Sequence, residues 1–254
     1  MNKILITGAA GFIGLKLAEK LISNKNKLFL VDNLSRGKFD NSFKKILKNK
    51  NVKFLKKDLT KKLSFKDKFD YIFHLASVVG VKNVNQDPIK TFNNNILSTL
   101  NLIQSIKNKK ETKLVFFSTS EVYAASSKRN KIFKPSEEKS DLLILNDVKP
   151  RDSYFLSKLI CEKVVSLSGC KFIILRPHNI YGPRMGHSHV IPELLQKIKK
   201  NYNCKIYSPD HTRSFCYVDD AIEQIIKLSF SNKLFNSIYN IGNMKEEIKI
   251  INLA

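Results

Sequence analysis

The sequence predicts an α/β fold built on a doubly wound parallel sheet, and three observations carry that prediction. Short β-rich runs alternate with longer amphipathic segments as far as Pro177. Three glycines sit at the first strand-to-helix junction. A chain of 254 residues that is 43% hydrophobic can bury a full core in one large domain.

The runs KILIT (3–7), KLFLVD (27–32), VKFLK (52–56), DYIFHLA (70–76), KLVFFSTS (113–120) and KFIILRP (171–177) read as strands. Ile13, Leu17 and Leu21 share one face of a helix after the first, and Pro88 to Lys107 forms a longer helical pattern. Strand, helix and strand repeated in this way imply right-handed crossovers and helices on both faces of the sheet. Residues 124–149, rich in Ser, Lys and Glu, read as an exposed loop. After Pro177 the segments shorten and the texture becomes basic and polar. Residues 1–177 are therefore expected to form a dinucleotide-binding unit carrying the catalytic residues, and 178–254 a smaller substrate-side portion with elements able to return to the core.

The formal charge of +23 raises the question of nucleic acid, but the lysines are spread from Lys3 to Lys249 and greatly outnumber the arginines. A solvated basic surface is the expectation, with no nucleic-acid partner. No run approaches the roughly 18 apolar residues of a membrane span. The opening MNKILITG runs straight into a strand with no signal-peptide core, so a cytoplasmic location is expected. Cys161, Cys170, Cys204 and Cys216 are scattered, with no metal-ligand spacing, and are expected to be reduced thiols without a metal.

The first candidate site is ITGAAGFIG, in which Gly8, Gly11 and Gly14 link a strand to a helix. Glycine suits a tight turn, a close backbone approach to a pyrophosphate and a close helix-strand contact, while helix-terminal N–H groups receive the anion. Asp32 ends the second strand, where a carboxylate accepts hydrogen bonds from ribose hydroxyls and repels a 2′-phosphate, favouring NAD over NADP. Arg36 and Lys38 close behind it soften that preference. Asp58 is placed to reach an adenine, although an Asp at a strand end is also a common turn residue.

The second candidate site is Tyr154 and Lys158, which share a helix face at four-residue spacing. An unperturbed phenol has a pKa of about 10, so a base working near neutrality needs a neighbouring ammonium, here Lys158, and a positive nicotinamide ring. Alone the spacing means little. Thr119, Ser120 and Glu121 give it weight, because they stand at the carboxyl end of a strand, where open α/β sheets place their chemistry. The alternative for Thr119 and Ser120 is that their hydroxyls cap the strand end.

These segments together resemble the extended short-chain dehydrogenase/reductases of the NAD-dependent epimerase/dehydratase family. The resemblance rests on GxxGFIG at 8–14, Asp32, HLA at 74–76, Asn95 in NNNILSTLNL, TSEVY at 119–123, YFLSK at 154–158, RPHNIYGPR at 176–184 and RSFCYVDDA at 213–221. It implies a Rossmann fold with NAD contacted by Gly8, Gly11, Phe12, Ile13, Gly14, Asp32, Asn33, Asp58, Leu59, Leu75, Ala76, Asn95, Tyr154 and Lys158. It implies Tyr154 as acid/base, Lys158 as its electrostatic partner and ribose anchor, and Thr119 as the hydroxyl holding the reacting sugar oxygen. Asn179, Arg184 and Arg213 are the implied contacts of a nucleotide-sugar substrate, and a homodimer is expected.

The resemblance also implies oxidation at sugar C4 to a 4-keto sugar, followed by 4-epimerisation, decarboxylation or dehydration. Glu121 resembles the carboxylate of decarboxylases and 4,6-dehydratases, whereas PHNIYGPRMG resembles polysaccharide-pathway epimerases. Epimerisation of a UDP-sugar is the leading expectation, and an NAD-binding protein without catalysis is the alternative from another class. Ser98 and Ala124 stand where family members usually have glycine, and the loop between Thr119 and Tyr154 departs in length. The chain ends at Ala254, soon after IYNIGN, so a substrate lobe shorter than the family's is expected.

Overall fold

In a computed structural model of the chain, residues 1–23, 25–128, 136–186, 189–199, 206, 209–244 and 247–254 are described. The first half runs β1 (Asn2–Thr7), α1 (Phe12–Leu21), β2 (Asn26–Asp32), α2 (Asn41–Leu47), β3 (Val52–Lys56) and β4 (Tyr71–His74). It continues through α3 (Val81–Gln86), α4 (Pro88–Ser105), β5 (Lys113–Phe117), a 3-10 turn (Ser120–Tyr123), α5 (Ala124–Lys128), α6 (Asp152–Ser166) and β6 (Lys171–Pro177). Beyond lie β7 (Ile180–Tyr181), α7 (Val190–Lys199), β8 (Thr212–Arg213), β9 (Cys216–Tyr217), α8 (Val218–Ser229), β10 (Ser237–Ile241), β11 (Ile248–Lys249) and α9 (Ile250–Leu253).

Seven strands pair in the order β3-β2-β1-β4-β5-β6-β10, and every pairing is parallel. The doubly wound sheet expected from the sequence is present. Its strands are continuous apolar runs because both faces are covered. Ile4 and Ile6 of β1 face one core with Leu17 and Ala18 of α1 and Ile222 and Ile225 of α8. Leu5, between them, faces the other with Leu102 of α4 and Cys161 and Val165 of α6. The strand order reverses at β1 and β4, so the crevice outside their carboxyl ends is the natural ligand position.

Local signals set the boundaries. Asp87 caps α4 by accepting from the Lys90 N–H, and Pro88 occupies the first turn, where its missing N–H costs nothing. The run expected as strand to residue 120 ends at Phe117, because Thr119 Oγ1 accepts from the Glu121 N–H and starts the 3-10 turn. The chain returns to the sheet late: β10 pairs with β6, and α8 packs on the α1 face.

One expectation is corrected. The segment 124–149 is not simply an exposed loop: it begins with α5, and Ala125 and Ser126 are buried. Ser126 Oγ donates to the Asp141 carbonyl and accepts from the Leu143 N–H, tying both ends of the segment together. Residues 129–135 of it lie outside the described residues. Cys161, Cys170 and Cys216 are free and buried, and Cys204 lies outside the described residues. Among the described residues no helix is long and apolar enough to cross a membrane, and no His, Cys, Asp and Glu group is arranged to hold a metal.

Candidate active site at the switch of the sheet

The three glycines have three different reasons to be glycine. Gly8 has φ +68°, and a Cβ there would lie 2.9 Å from the Ala76 nitrogen. A Cβ on Gly14 would run into the Gly8 carbonyl and stand 2.9 Å from the Ala9 Cα, so α1 can approach β1 only without one. Gly11 differs, because its φ of −77° suits any residue and a Cβ would meet only the Gly8 oxygen, at 3.1 Å. What a side chain would fill is the space before the start of α1. That helix has no side-chain cap and no acidic residue in its first turn. An open cradle in front of uncapped N–H groups fits a dinucleotide pyrophosphate.

Asp32 is buried at the end of β2 and accepts from the Ala10 N–H at 3.0 Å and the Leu34 N–H at 2.8 Å. Its carboxylate thus shapes the glycine loop. Gly37, which sequence reasoning passed over, lets the chain close on this point, since a Cβ there would be 2.7 Å from the Ala10 Cβ and 2.8 Å from Asp32 Oδ1. Phe12 and Ile13 open α1 and pack on the core. Asn33 and Asp58 both turn their own backbone: Asn33 Oδ1 accepts from the Ser35 N–H and hydroxyl, and Asp58 Oδ1 accepts from the Thr60 N–H and hydroxyl. Leu59 is buried, and its carbonyl accepts from Asn101 Nδ2.

Arg184 is placed elsewhere than expected. Its guanidinium pairs with Asp40 and donates through Nη2 to the Ala10 carbonyl at 2.8 Å, so it grips the glycine loop rather than standing free for a sugar. It does so at φ +71°, a left-handed conformation unfavourable for a side chain of this size. Its Nε is buried with no partner among the described residues. Asn179 and Arg213 are exposed; Asn179 Nδ2 donates to the Ser214 carbonyl, and Arg213 Nη1 to the Thr212 carbonyl.

At the carboxyl end of β5 the structure brings Thr119, Glu121, Tyr154 and Lys158 together. Burial pushes the Tyr154 phenol above its ordinary value and the Glu121 carboxylate pushes it further, while a hydrogen bond with Thr119 and the Arg36 charge oppose them. Thr119 caps the turn, one of the two roles expected of it, and its hydroxyl also acts on the Tyr154 phenol. Ser120, partly buried, opens the 3-10 turn, and Glu121 pairs with Arg151 at 3.6 Å. Lys158 departs from the expected geometry. Its ammonium, 3% exposed, donates to the Phe117 carbonyl at 2.7 Å and lies 4.9 Å from the Phe116 ring centre. Burial brings it down to about 8, against the pull of Cys161 and Glu162.

Asn95, expected as a cofactor contact, has a full set of partners within the protein. Its Oδ1 accepts from the Val78 N–H and Ser77 hydroxyl, and its Nδ2 donates to the Val78 carbonyl and Ser157 hydroxyl, so all four polar positions are used by the protein. It holds the loop after β4 against α6. Two further groups escaped sequence reasoning. His189, ahead of α7, feels both Arg36 and Glu121, although burial is what chiefly lowers its pKa. Behind the site, Arg176 and Glu162, each 2% exposed, form a two-point ion pair at 2.7 and 3.0 Å. Ser118 donates to the same Glu162 carboxylate, and Arg176 donates on to the Tyr123 hydroxyl at 2.8 Å. The only sequence signals were two charges at strand and helix positions that should be buried.

The model of the NAD dependent epimerase/dehydratase family matches residues 4–242. The chain belongs to that family. Among its relatives, a dTDP-D-glucose 4,6-dehydratase of Dictyostelium discoideum is 34% identical over all of this chain and 62% of the relative. A UDP-N-acetyl-alpha-D-glucosaminuronate decarboxylase of Bacillus cytotoxicus is 33% identical over 97% of this chain and 76% of its own. Among solved structures, a UDP-N-acetylglucosamine 4-epimerase of Methanobrevibacter ruminantium, in complex with UDP-N-acetylmuramic acid, superposes with a TM-score of 0.81 at 28% identity. That match covers 99% of this family member and 79% of the solved chain. The family member thus spans less than two thirds of the Dictyostelium relative's length.

Proposed function

We propose that this chain binds NAD across the switch of the sheet and oxidises a nucleotide sugar at C4, leading to epimerisation of a UDP-sugar. The observation that carries the reading is the cluster at the end of β5, where the buried Tyr154 phenol feels Thr119, Glu121 and Arg36 and the Lys158 ammonium is held one turn further along the same helix on the Phe117 carbonyl. Residues 1–177 hold the cofactor and the acid/base group, and 178–254 supply the substrate side while returning α8 and β10 to the core.

The glycine loop would hold the pyrophosphate, Asp32 the adenosine ribose and Lys158 the nicotinamide ribose. Once bound, the nicotinamide supplies a hydride acceptor and donor. Tyr154 takes the proton of the sugar C4 hydroxyl, and Thr119 fixes that oxygen by hydrogen bonding. The resulting 4-keto sugar regains its proton from Tyr154 after reduction on the opposite face. Lys158 favours the ionised phenol when its ammonium turns from Phe117 towards Tyr154. Asn179 and Arg213 line the substrate side, where an arginine suits a diphosphate or a sugar carboxylate.

A second reading follows from Glu121, whose carboxylate acts on the Tyr154 phenol and would be the group to serve chemistry at C5. Decarboxylation or dehydration of the same keto sugar would use it. Incubation with UDP-glucose, UDP-galactose and UDP-glucuronate, followed by mass and NMR analysis of products, separates these outcomes. Isomerisation without mass change supports epimerisation, loss of carbon dioxide or water supports the second reading, and no turnover on any of them counts against the substrate class. A homodimer belongs to the same proposal. It is supported by exposed Ile89 and Leu97 on α4 and Ile160 on the adjoining α6, and is tested by light scattering.

A further inference from the structure

We propose that His74 is a positioning residue, the centre of a one-way chain of hydrogen bonds that ties the cofactor lip after β4 to the helix carrying Tyr154 and Lys158. The chain is continuous in the structure. The Ala76 N–H donates to Thr7 Oγ1 at 3.2 Å, and Thr7 Oγ1 lies 2.8 Å from His74 Nδ1. His74 Nε2 lies 3.1 Å from Thr99 Oγ1, whose hydroxyl donates to the Asn95 carbonyl at 2.9 Å. From the Asn95 side chain, Nδ2 donates to Ser157 Oγ, and Ser157 donates to the Tyr154 carbonyl at 2.7 Å. Thr7 and His74 are at most 1% exposed, as is Thr99, so water does not replace a lost partner.

Each hydroxyl has one hydrogen, and that fixes the direction. Thr99 gives its hydrogen to Asn95, so the bond from His74 to Thr99 needs the ring hydrogen on Nε2. Nδ1 is then an acceptor, and Thr7 donates to it while accepting from Ala76. With the hydrogen on Nδ1 instead, Thr99 would have to turn from Asn95, and Thr7 would accept from both the ring and Ala76, leaving its own hydrogen without the ring as acceptor. A charged ring would leave Thr7 in the same position, in a site that burial and Lys158 already hold against protonation.

The chain matters because of what stands at its two ends. The lip of Leu75 and Ala76 rests directly on Gly8, where a Cβ would lie 2.9 Å from the Ala76 nitrogen, so a shift of Ala76 moves against the glycine loop. At the other end Asn95 and Ser157 brace the turn of α6 from Tyr154 to Lys158. Cofactor cradle and acid/base helix are thereby held in one register by neutral groups in a single tautomer.

The inference rests on the NAD site proposed above, and the test keeps the two apart. Nitrogen-15 NMR of the histidine-labelled, unmutated chain should find one ring with Nε2 protonated and Nδ1 bare, unchanged on acidification through the range where free histidine titrates. A protonated Nδ1 on that ring, identified by its loss in His74→Gln, would overturn the proposal whether or not NAD binds. NAD affinity is then compared in the unmutated chain, Thr99→Val and His74→Leu. Thr99→Val, distant from the glycine loop and close in shape, should weaken NAD binding by about threefold to tenfold, and His74→Leu by more, with His74→Gln recovering part. Unchanged affinity in a folded Thr99→Val overturns the coupling. Failure of the unmutated chain to bind NAD strikes the cofactor reading alone, since the tautomer still decides the chain. If His74→Leu does not fold, the tautomer and Thr99→Val carry the decision.

Discussion

Lys158 donates its ammonium to the Phe117 carbonyl at 2.7 Å, while Tyr154, one turn earlier on the same helix, meets Thr119 two residues beyond that carbonyl. The end of β5 thus holds both members of the pair apart from one another. On the proposed mechanism, the lysine exchanges this carbonyl for a ribose and the tyrosine to lower the phenol's pKa. The two side chains are therefore expected to fail differently. Tyr154→Phe should leave folding and NAD affinity intact and reduce turnover by about 10² to 10⁴. Lys158→Met should weaken NAD binding as well as turnover. Near-normal turnover in Tyr154→Phe would remove the acid/base assignment.

The glycines separate ligand space from folding space. Gly11→Val should fold, with the Gly8 carbonyl giving by a few tenths of an ångström, and lose NAD affinity by about tenfold or more. Gly14→Ala should destabilise the fold itself, because its Cβ has nowhere to go between the Gly8 carbonyl and Ala9. Thermal unfolding and NAD titration of both variants check the contrast; equal NAD affinity in Gly11→Val and the parent would refute the cradle.

Glu162→Gln keeps the shape of a buried side chain and removes its charge, stranding the Arg176 guanidinium at 2% exposure. Breaking a buried pair in this way costs about 3–5 kcal/mol. Chemical denaturation should show a loss of that order. Glu162→Gln combined with Arg176→Met should recover part of it, since the uncompensated charge is gone. A single variant as stable as the parent would mean the pair is not intact in solution.

Acid should destabilise the fold through His74. Burial first, and Lys158 second, bring its pKa from 6.5 to about 3, so the folded state binds this proton less readily than the unfolded state does. The stability associated with a neutral His74 is complete above 6.5 and is lost progressively as pH falls from there towards 3. Unfolding free energies measured across that window should fall with acidification, and His74→Gln should flatten the slope. An unchanged slope in that variant would place the sensitivity on other groups.

The parallel sheet was legible from the sequence because strands covered on both faces must be apolar without interruption, as in Ile4–Leu5–Ile6 and Leu28–Phe29–Leu30–Val31. Glycine spacing and the Tyr154–Lys158 spacing were legible because each reflects local geometry, a turn or one helix face. The pairing of β10 with β6, the grip of Arg184 on Ala10 and the direction of the Lys158 ammonium were not, since each depends on groups brought together from distant parts of the chain. The same holds for Thr7, His74 and Thr99. In the sequence they are three polar residues on two strands and a helix, of which only His74 belongs to a quoted motif, with nothing to link them. Only packing removes the water around them, and only then must every hydroxyl find a partner and the histidine keep one tautomer.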